Sequence, residues 1–304
     1  MPLVSVVVPV HNPGSFLQRS LAGVLGQTFT DLECVVIDDG STEDVTPIRE
    51  LDDPRVRFIR QPNRGVSVAR NVGVESSDSK YVAFLDQDDE WLPLKLERQV
   101  TSLEHQPEAA FSHTPFVWML PSGEVPSGLP ALVTYHETLA GMNVCLSSMV
   151  VDRVKHDAVG GHNPLLAQAQ DWDFVLRLLL VFGEAVGEAE HLVRYFVHGG
   201  NVSSDYWASE QETRTICELH RVRAARVGDD LAVQAIMRST RVARSLHAHQ
   251  AMDHLRASAR DHDWRGASVH LGRGLRLDPA VTGRFGLTAA SNRGRDIWSR
   301  IRQS

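Results

Sequence analysis

The chain has 304 residues, of which 42% are hydrophobic and 23% are charged, values that are ordinary for a globular protein. No apolar run reaches the ~18 residues that a membrane-spanning helix needs, and the first residues lack the basic segment of a signal peptide. The three cysteines, Cys34, Cys145 and Cys217, form no C-x-x-C pair. This cysteine usage favours a reducing, cytoplasmic environment.

Charge divides the chain unevenly. Residues 205–304 contain 17 Arg, no Lys and 11 acidic residues, a net charge of +6. The first 204 residues carry 14 basic and 27 acidic groups, a net charge of −13. The split predicts two units with different roles, and it argues against a nucleic-acid partner for the acidic first unit.

The first hundred residues alternate between apolar, β-branched runs and amphipathic segments. Strands are predicted at residues 3–10, 33–39, 56–60 and 80–86, and helices at residues 15–26, 41–51, 65–77 and 93–105. Strands and helices that alternate at this spacing form βαβ units. A parallel sheet flanked by helices is therefore expected.

The remainder of the first unit predicts more strands and one strong helix. Strands are expected at 109–120, 145–152 and 191–198, with a Pro- and Gly-bearing loop at 121–130 and a helix at 170–183. From residue 205 onward the pattern is wholly helical and rich in Arg. The expected organisation is an α/β domain over residues 1–204 and an all-helical region over 205–304.

Polar residues follow each of the first four predicted strands. They are His11–Asn12, Asp38–Asp39, Gln61–Asn63 and Asp86–Asp89. In an open α/β sheet, ligands bind beyond the carboxyl ends of the strands. We therefore expect these clusters to meet at one edge of the sheet.

The segment LDQDDEW, residues 85–91, contains the D-x-D sequence Asp86-Gln87-Asp88. Carboxylates this close repel one another unless a cation lies between them, and their hard oxygens suit Mg²⁺ or Mn²⁺. The alternative is that the negative charges of these residues stabilise the N-terminus of the following helix, a role that is expected of Asp89. A D-x-D sequence alone does not decide between the two.

The segment DDGSTED, residues 38–44, also permits two interpretations. Asp38 and Asp39 could form a turn into a helix capped by Ser41 or Thr42. They could instead accept hydrogen bonds from a nucleobase or a ribose. The chain has no G-x-G-x-x-G sequence at this point, which argues against a dinucleotide site.

Five segments occur in a fixed order, namely VSVVVPVHN, QTFTDLECVVIDDGSTED, NRGVSVARNVGV, YVAFLDQDDEW and QDWDFVLRL. Together they resemble the family-2 glycosyltransferases, a large family of inverting enzymes with the GT-A fold. The resemblance covers residues 3–203. It implies a mostly parallel, Rossmann-like nucleotide-binding sheet and the transfer of a sugar from a nucleotide-diphosphate sugar to an acceptor hydroxyl.

The resemblance also implies a donor-binding role for particular residues. The residues expected to contact the donor nucleotide are Pro9, His11, Asn12, Asp39, Asn63, Arg70 and Asp86. Asp39 matches the carboxylate that hydrogen-bonds a uracil ring, so a UDP-sugar is the expected donor. Arg70 is expected near the base and the phosphates, which its charge suits.

A divalent cation, Mn²⁺ or Mg²⁺, is implied as the cofactor. Asp88 is the expected direct ligand, with Asp86 nearer the ribose. His198 could approach the diphosphate or the metal, or could serve as a structural donor at a strand end. The following stretch to residue 204 resembles a mobile segment of the family, with hinge-like freedom at Gly199 and Gly200.

Asp171, in QDWDF, matches the family's catalytic base, although without the resemblance a helix cap would be the favoured interpretation. The family usually has Glu-Asp here, whereas this chain has Gln170-Asp171. The missing Glu removes a neighbouring charge that would raise the pKa of the base.

The expected reaction is a single inverting transfer in which Asp171 removes the proton of the acceptor hydroxyl, on a glycan, a lipid-linked acceptor or a secondary metabolite. One alternative is a catalytically weak, transferase-like scaffold protein, and another is a nucleotidyltransferase on a similar sheet. The C-terminal helices are expected to serve the acceptor side or a homodimer. Peripheral contact with the inner face of the membrane is the alternative role for them.

Overall fold

In a computed structural model, the chain forms two compact units, residues 1–202 and 203–304. The structure describes residues 1–49, 51–141, 144–198 and 205–282, with only the backbone of Pro47 and Ile48. The hinge-like glycines predicted at 199 and 200 lie outside the described residues.

The first unit is built on two sheets. Its described strands are β1 (Val4–Val10), β2 (Leu32–Asp39), β3 (Val56–Gln61), β4 (Tyr81–Phe84), β5 (Glu90–Trp91), β6 (Ser112–His113), β7 (Phe116–Leu120), β8 (Gly123–Pro126), β9 (Leu132–Val133), β10 (Met149–Asp152), β11 (Ala185–Gly187) and β12 (Val193–Phe196). The larger sheet has the order β3-β2-β1-β4-β10-β6-β11-β9, and the smaller has the order β5-β12-β7-β8.

The first four strands of the larger sheet are parallel, and β10 joins them antiparallel to β4. The helices of this unit are α1 (Phe16–Leu25), α2 (Thr46–Arg49), α3 (Val66–Glu75), α4 (Lys95–His105), α5 (Tyr135–Ala140), α6 (Arg153–Ala158) and α7 (Gln170–Phe182), with a 3₁₀ turn at Leu146–Ser148. This arrangement confirms the expected α/β fold.

Two of the elements predicted between residues 109 and 130 differ from the structure. The strand expected at 109–120 is split at Pro115 into β6 and β7, which belong to different sheets, because proline cannot donate to a continuous ladder. The loop expected at 121–130 contains β8, and Gly123, with a φ of 128°, permits the tight turn before it.

The helix expected at 41–51 is also shorter than predicted, since among the residues of this range that the structure describes only the four of α2 are helical. The side-chain oxygen of Asn12 accepts hydrogen bonds from the backbone N–H groups of Thr42 and Glu43, at 2.8 and 3.2 Å. These contacts hold the start of the segment against the end of β1, so it cannot wind into a helix.

The hydrophobic core of the first unit is centred on β1. All seven residues of β1 are buried, because the strand lies between β2 and β4 and is covered on both faces. Val4, Val6, Val8 and Val10 pack in the same cluster as Leu17, Leu21 and Val24 of α1. The polar residues after β1 therefore emerge from a rigid centre.

The second unit confirms the expected helical C-terminal region. Its described helices are α8 (Tyr206–Val227), α9 (Asp230–Arg260) and α10 (Trp264–Leu277). Each begins after an aspartate whose side chain accepts backbone N–H groups of the first turn, namely Asp205, Asp229 and Asp263. None of the described helices has the length and hydropathy that crossing a bilayer requires.

Gly73 offers a test of the packing between α3 and β1. A methyl group added at Gly73 would lie 2.3 Å from Cγ1 of Val7, so Gly73→Ala should overpack the core. We expect the free energy of unfolding to fall by about 1–3 kcal/mol, measured by urea denaturation. Gly272 of α10 is the matched control, because a methyl group there meets open space; Gly272→Ala should stabilise by ~0.5–1 kcal/mol. Unchanged stability of Gly73→Ala would contradict this packing.

Candidate functional site

The structure brings the polar residues at the ends of β1, β2 and β4 into contact with one another. The backbone N–H of His11 donates to Oε1 of Gln87 at 2.9 Å, and Nδ1 of His11 lies 3.0 Å from the carbonyl oxygen of Asp39. The amide of Asn63 reaches the His11 ring at 3.4 Å. The predicted clusters therefore meet at one edge of the sheet.

Arg70 lies at the centre of this edge, on α3, and is only 1% exposed. One terminal nitrogen, Nη1, donates to Oε1 of Gln170 at 2.7 Å and to Oδ1 of Asp171 at 3.0 Å. The other, Nη2, donates to Oδ1 of Asp86 at 2.6 Å. One guanidinium thus joins the segment after β4 to the first turn of α7.

The charges around Arg70 shift the pKa values of their neighbours. Loss of hydration raises the pKa of Asp171; Arg70 opposes this effect and the negative charge of Asp86 adds to it. Burial acts to lower the pKa of Arg70, but Asp86 and Asp171 outweigh burial and the net pKa is raised. Asp171 is therefore a carboxylate with enhanced basicity that stays 28% exposed.

Asp88 contacts the last strand of the smaller sheet through His198. Nε2 of His198 lies 2.8 Å from Oδ2 of Asp88, and the imidazole stacks on Phe16 with ring centroids 4.7 Å apart. Burial and the nearby charge of Asp86 raise the pKa of Asp88, and the contact with His198 lowers it. The sequence predicted Asp88 as a metal ligand and left the role of His198 open, and the structure places the two side chains in contact.

Helix α1 supports the D-x-D loop from below, which the sequence analysis missed. Oγ of Ser20 lies 2.7 Å from the carbonyl oxygen of Gln87 and 2.6 Å from that of Asp89, and Arg19 donates to the carbonyl oxygen of Asp88 at 2.8 Å. Phe16, Arg19 and Ser20 share one side of α1 through their spacing of three and four residues. That spacing was the feature of the sequence from which a shared role for these three residues could have been predicted.

Asp89 does not serve a helix start, so this expectation was wrong. The strand β5 follows it, and α4 begins only at Lys95. The carboxylate of Asp89 is buried and accepts hydrogen bonds from Oγ of Ser147 at 2.6 Å and from the backbone N–H of Phe196 at 3.2 Å. Asp89 therefore ties the D-x-D loop to the 3₁₀ turn and to β12.

Asp39 holds the N-terminus of α3. Oδ1 accepts from Nε2 of Gln61 at 2.7 Å and from the backbone N–H of Arg64 at 2.8 Å, and Oδ2 accepts from the N–H of Gly65 at 2.8 Å. Negative charge is favourable at a helix N-terminus. A carboxylate has about four lone-pair sites, so Asp39 retains capacity for one further donor.

The donor atoms at this edge suit a hard divalent cation. Asp86 and Asp88 supply carboxylate oxygens, and His198 supplies an imidazole nitrogen. Within the part of the chain that the structure describes, no group of three or more His, Cys, Asp or Glu residues could hold a metal. Mg²⁺ is commonly held by one or two carboxylates together with phosphate oxygens, so these residues fit a cation that is shared with a phosphorylated ligand.

Residues 5–128 match the family model described as glycosyl transferase family 2. A Bacillus subtilis protein named as a teichuronic acid biosynthesis glycosyltransferase, TuaG, is 30% identical over 73% of this chain and 92% of its own length. Chondroitin synthase of Escherichia coli is 29% identical over 67% of this chain, which spans only 30% of that protein. An uncharacterised glycosyltransferase of Rickettsia bellii is 40% identical over 37% of this chain, which spans 16% of that protein.

The fold is similar to that of a solved structure, residues 1–349 of S. aureus TarS in complex with UDP-GlcNAc. The TM-score is 0.62, over 98% of this chain and 88% of the other, with 15% sequence identity. The likeness extends to the helical C-terminal region as well as to the sheet.

Arg70→Gln tests whether the guanidinium holds the site together. The change leaves Asp86 and Asp171 close together without their cation, so the free energy of unfolding should fall by about 3 kcal/mol at neutral pH. The loss should shrink toward acidic pH, because protonation removes the repulsion between the carboxylates. Urea denaturation at neutral pH and at acidic pH measures this difference in the free energy of unfolding.

Arg57→Gln is the matched control for this test, since Arg57 forms an exposed ion pair with Glu33. Its loss should lower the free energy of unfolding by no more than ~1 kcal/mol. If Arg70→Gln resembles this control, the two carboxylates do not depend on Arg70.

Proposed function

Because this chain belongs to glycosyltransferase family 2, we propose that it transfers a sugar from a UDP-sugar to a glycan hydroxyl with inversion at the anomeric carbon. The observation that carries the proposal is the bridge made by Arg70. It sets a basic carboxylate, Asp171, beside the D-x-D carboxylate Asp86 at the ligand-binding edge of the sheet.

Asp171 is the proposed general base. Its Oδ1 is held by Arg70, which orients the carboxylate, while its partial exposure leaves it accessible to an acceptor hydroxyl. A base is most effective when its pKa approaches the working pH, and the pKa of Asp171 is shifted in that direction. The activated hydroxyl attacks the anomeric carbon from the face opposite the diphosphate, so one step inverts the configuration.

The donor nucleotide is proposed to bind along the ends of β1 and β2. The remaining acceptor capacity of Asp39 suits the ring N–H of uracil, and His11, exposed beside it, offers a face for the base. Pro9, Asn12 and Asn63 complete this pocket. That TarS was solved with UDP-GlcNAc supports a uridine nucleotide.

Mn²⁺ or Mg²⁺ is the proposed cofactor, held by Asp88 with Asp86 and His198. When bound, such a cation neutralises negative charge on the departing diphosphate. The protein preorganises this proposed metal site, because Arg19 donates to the carbonyl oxygen of Asp88 and Phe16 stacks on the His198 ring.

A glycan is the proposed class of acceptor, because the names of TuaG and chondroitin synthase refer to polysaccharides. We place the reaction in the cytoplasm. The chain's three cysteines are free, and Cys34 and Cys217 are buried, as is common in a reducing compartment.

Asp171→Asn tests the reaction. With a panel of UDP-sugars and Mn²⁺, the wild-type protein should release UDP, and release should increase with an accepted glycan. The substitution should lower turnover ~10²–10⁴-fold, the usual contribution of a general base, with little change in the apparent affinity for the donor. UDP release can be followed with a coupled assay.

Asp31→Asn removes an exposed carboxyl elsewhere and serves as the control. It should leave turnover unchanged. If Asp171→Asn instead abolishes donor binding while turnover at saturation survives, Asp171 binds the donor and another group is the base.

Gln170→Glu tests how Arg70 is shared. The amide oxygen of Gln170 accepts from the same nitrogen that holds Asp171, so a carboxylate at 170 would add a third negative charge around one cation. The pKa of Asp171 should rise further. Since the base acts only when deprotonated, the acid limb of the turnover–pH profile should move to higher pH.

At a pH below that limb, turnover should fall about tenfold for each unit by which the pKa rises. Gln18→Glu adds the same charge at an exposed position of α1 and should leave the profile in place. An unmoved acid limb in Gln170→Glu would show that Asp171 does not control it.

A further inference from the structure

The second unit presents one side of its first two helices to solvent. Helices α8 and α9 are joined by a short turn at Gly228, whose φ is 70°, so they run antiparallel. Each helix has a buried side, which includes Ile216 and Ala224 in α8 and Ala232 and Ile236 in α9. The flank of this pair remains open.

Helical spacing places five residues on that flank. They are Leu219 and Arg226 of α8, and Leu231, Arg238 and Val242 of α9, and together they are called the α8–α9 face. The three apolar members are each 58–64% exposed. Large apolar side chains grouped at this exposure mark an interaction surface, whereas single ones do not.

The α8–α9 face is also cationic. No acidic residue occurs between Glu218 and Asp229 or between Asp230 and Asp253. Arg226 and Arg238 are exposed among the apolar side chains. Apolar contact and positive charge are therefore offered together over this stretch, which is bordered by the acidic residues Glu212, Glu218, Asp229 and Asp230.

This combination decides the partner. A second copy joined through the same face would set these arginines against each other, which is unfavourable. A polar partner that kept water in the interface would leave the exposed leucine and valine side chains of the face without apolar contacts. A bilayer with anionic lipids satisfies both, because headgroups attract the guanidinium groups and the apolar side chains enter the interface.

We propose that the α8–α9 face binds peripherally to the surface of a membrane that contains anionic lipids. Long arginine side chains can keep their charge among the headgroups while their stems and the side chains of Leu219, Leu231 and Val242 lie deeper. The proposal concerns binding alone. It stands or falls separately from the sugar transfer reaction.

Co-sedimentation of the full chain with vesicles tests it, using phosphatidylcholine alone and phosphatidylcholine mixed with phosphatidylglycerol. Binding should require the anionic lipid and weaken with salt. The double variant Arg226→Gln and Arg238→Gln should bind about 25-fold more weakly, since each basic residue contributes about fivefold. Leu231→Ser with Val242→Ser should also weaken binding, while circular dichroism shows that the helices persist.

Arg214→Gln with Arg221→Gln removes the same charge from the other side of α8 and is the matched control. It should weaken binding by no more than about twofold, through screened long-range charge. Equal binding to both vesicle types, or equal losses in the two double variants, would overturn the proposal. A dimer in light scattering that the Leu231→Ser and Val242→Ser changes dissociate would do so too, by assigning the face to a second copy.

Discussion

The candidate site depends on one buried positive charge. Two carboxylates, Asp86 and Asp171, share one guanidinium, and without it their negative charges would repel each other in a partly buried site. Arg70 is in turn tolerated in the interior because three oxygens accept hydrogen bonds from its two terminal nitrogens, although its Nε has no partner among the described residues. Stability and the proposed chemistry are therefore linked at this point, since the contact that orients the proposed base is also the contact that makes a buried cation tolerable.

The elements that surround this charge were largely predictable. β1, β2 and α3 are local patterns of apolar residues, and parallel strands between helices must end at a common edge. The bridge itself was not predictable, because Gln170 and Asp171 lie 100 and 101 residues beyond Arg70 in the sequence. No local periodicity reports a contact across that separation. The resemblance to a family assigned roles to these residues without stating that they touch.

The errors have the same origin. Asp89 precedes a helix in the sequence, but its buried carboxylate is used by Ser147 and Phe196, which come from distant parts of the chain. The segment after Asp39 carries helix-forming signals, but Asn12 binds its backbone first. In both cases a long-range hydrogen bond outweighed a local preference.

Helix α3 begins where Asp39 holds its first N–H groups and carries Arg70 one and a half turns later. An α-helix rises 1.5 Å per residue, so the interval from Gly65 to Arg70 spans about 7.5 Å along the axis. This short piece of helix therefore fixes the distance between the proposed nucleoside pocket and the proposed base. Inserting one residue would turn Arg70 by about 100° and withdraw it from both carboxylates. The length of this stretch is therefore as strictly constrained as the identity of the residues at its two ends.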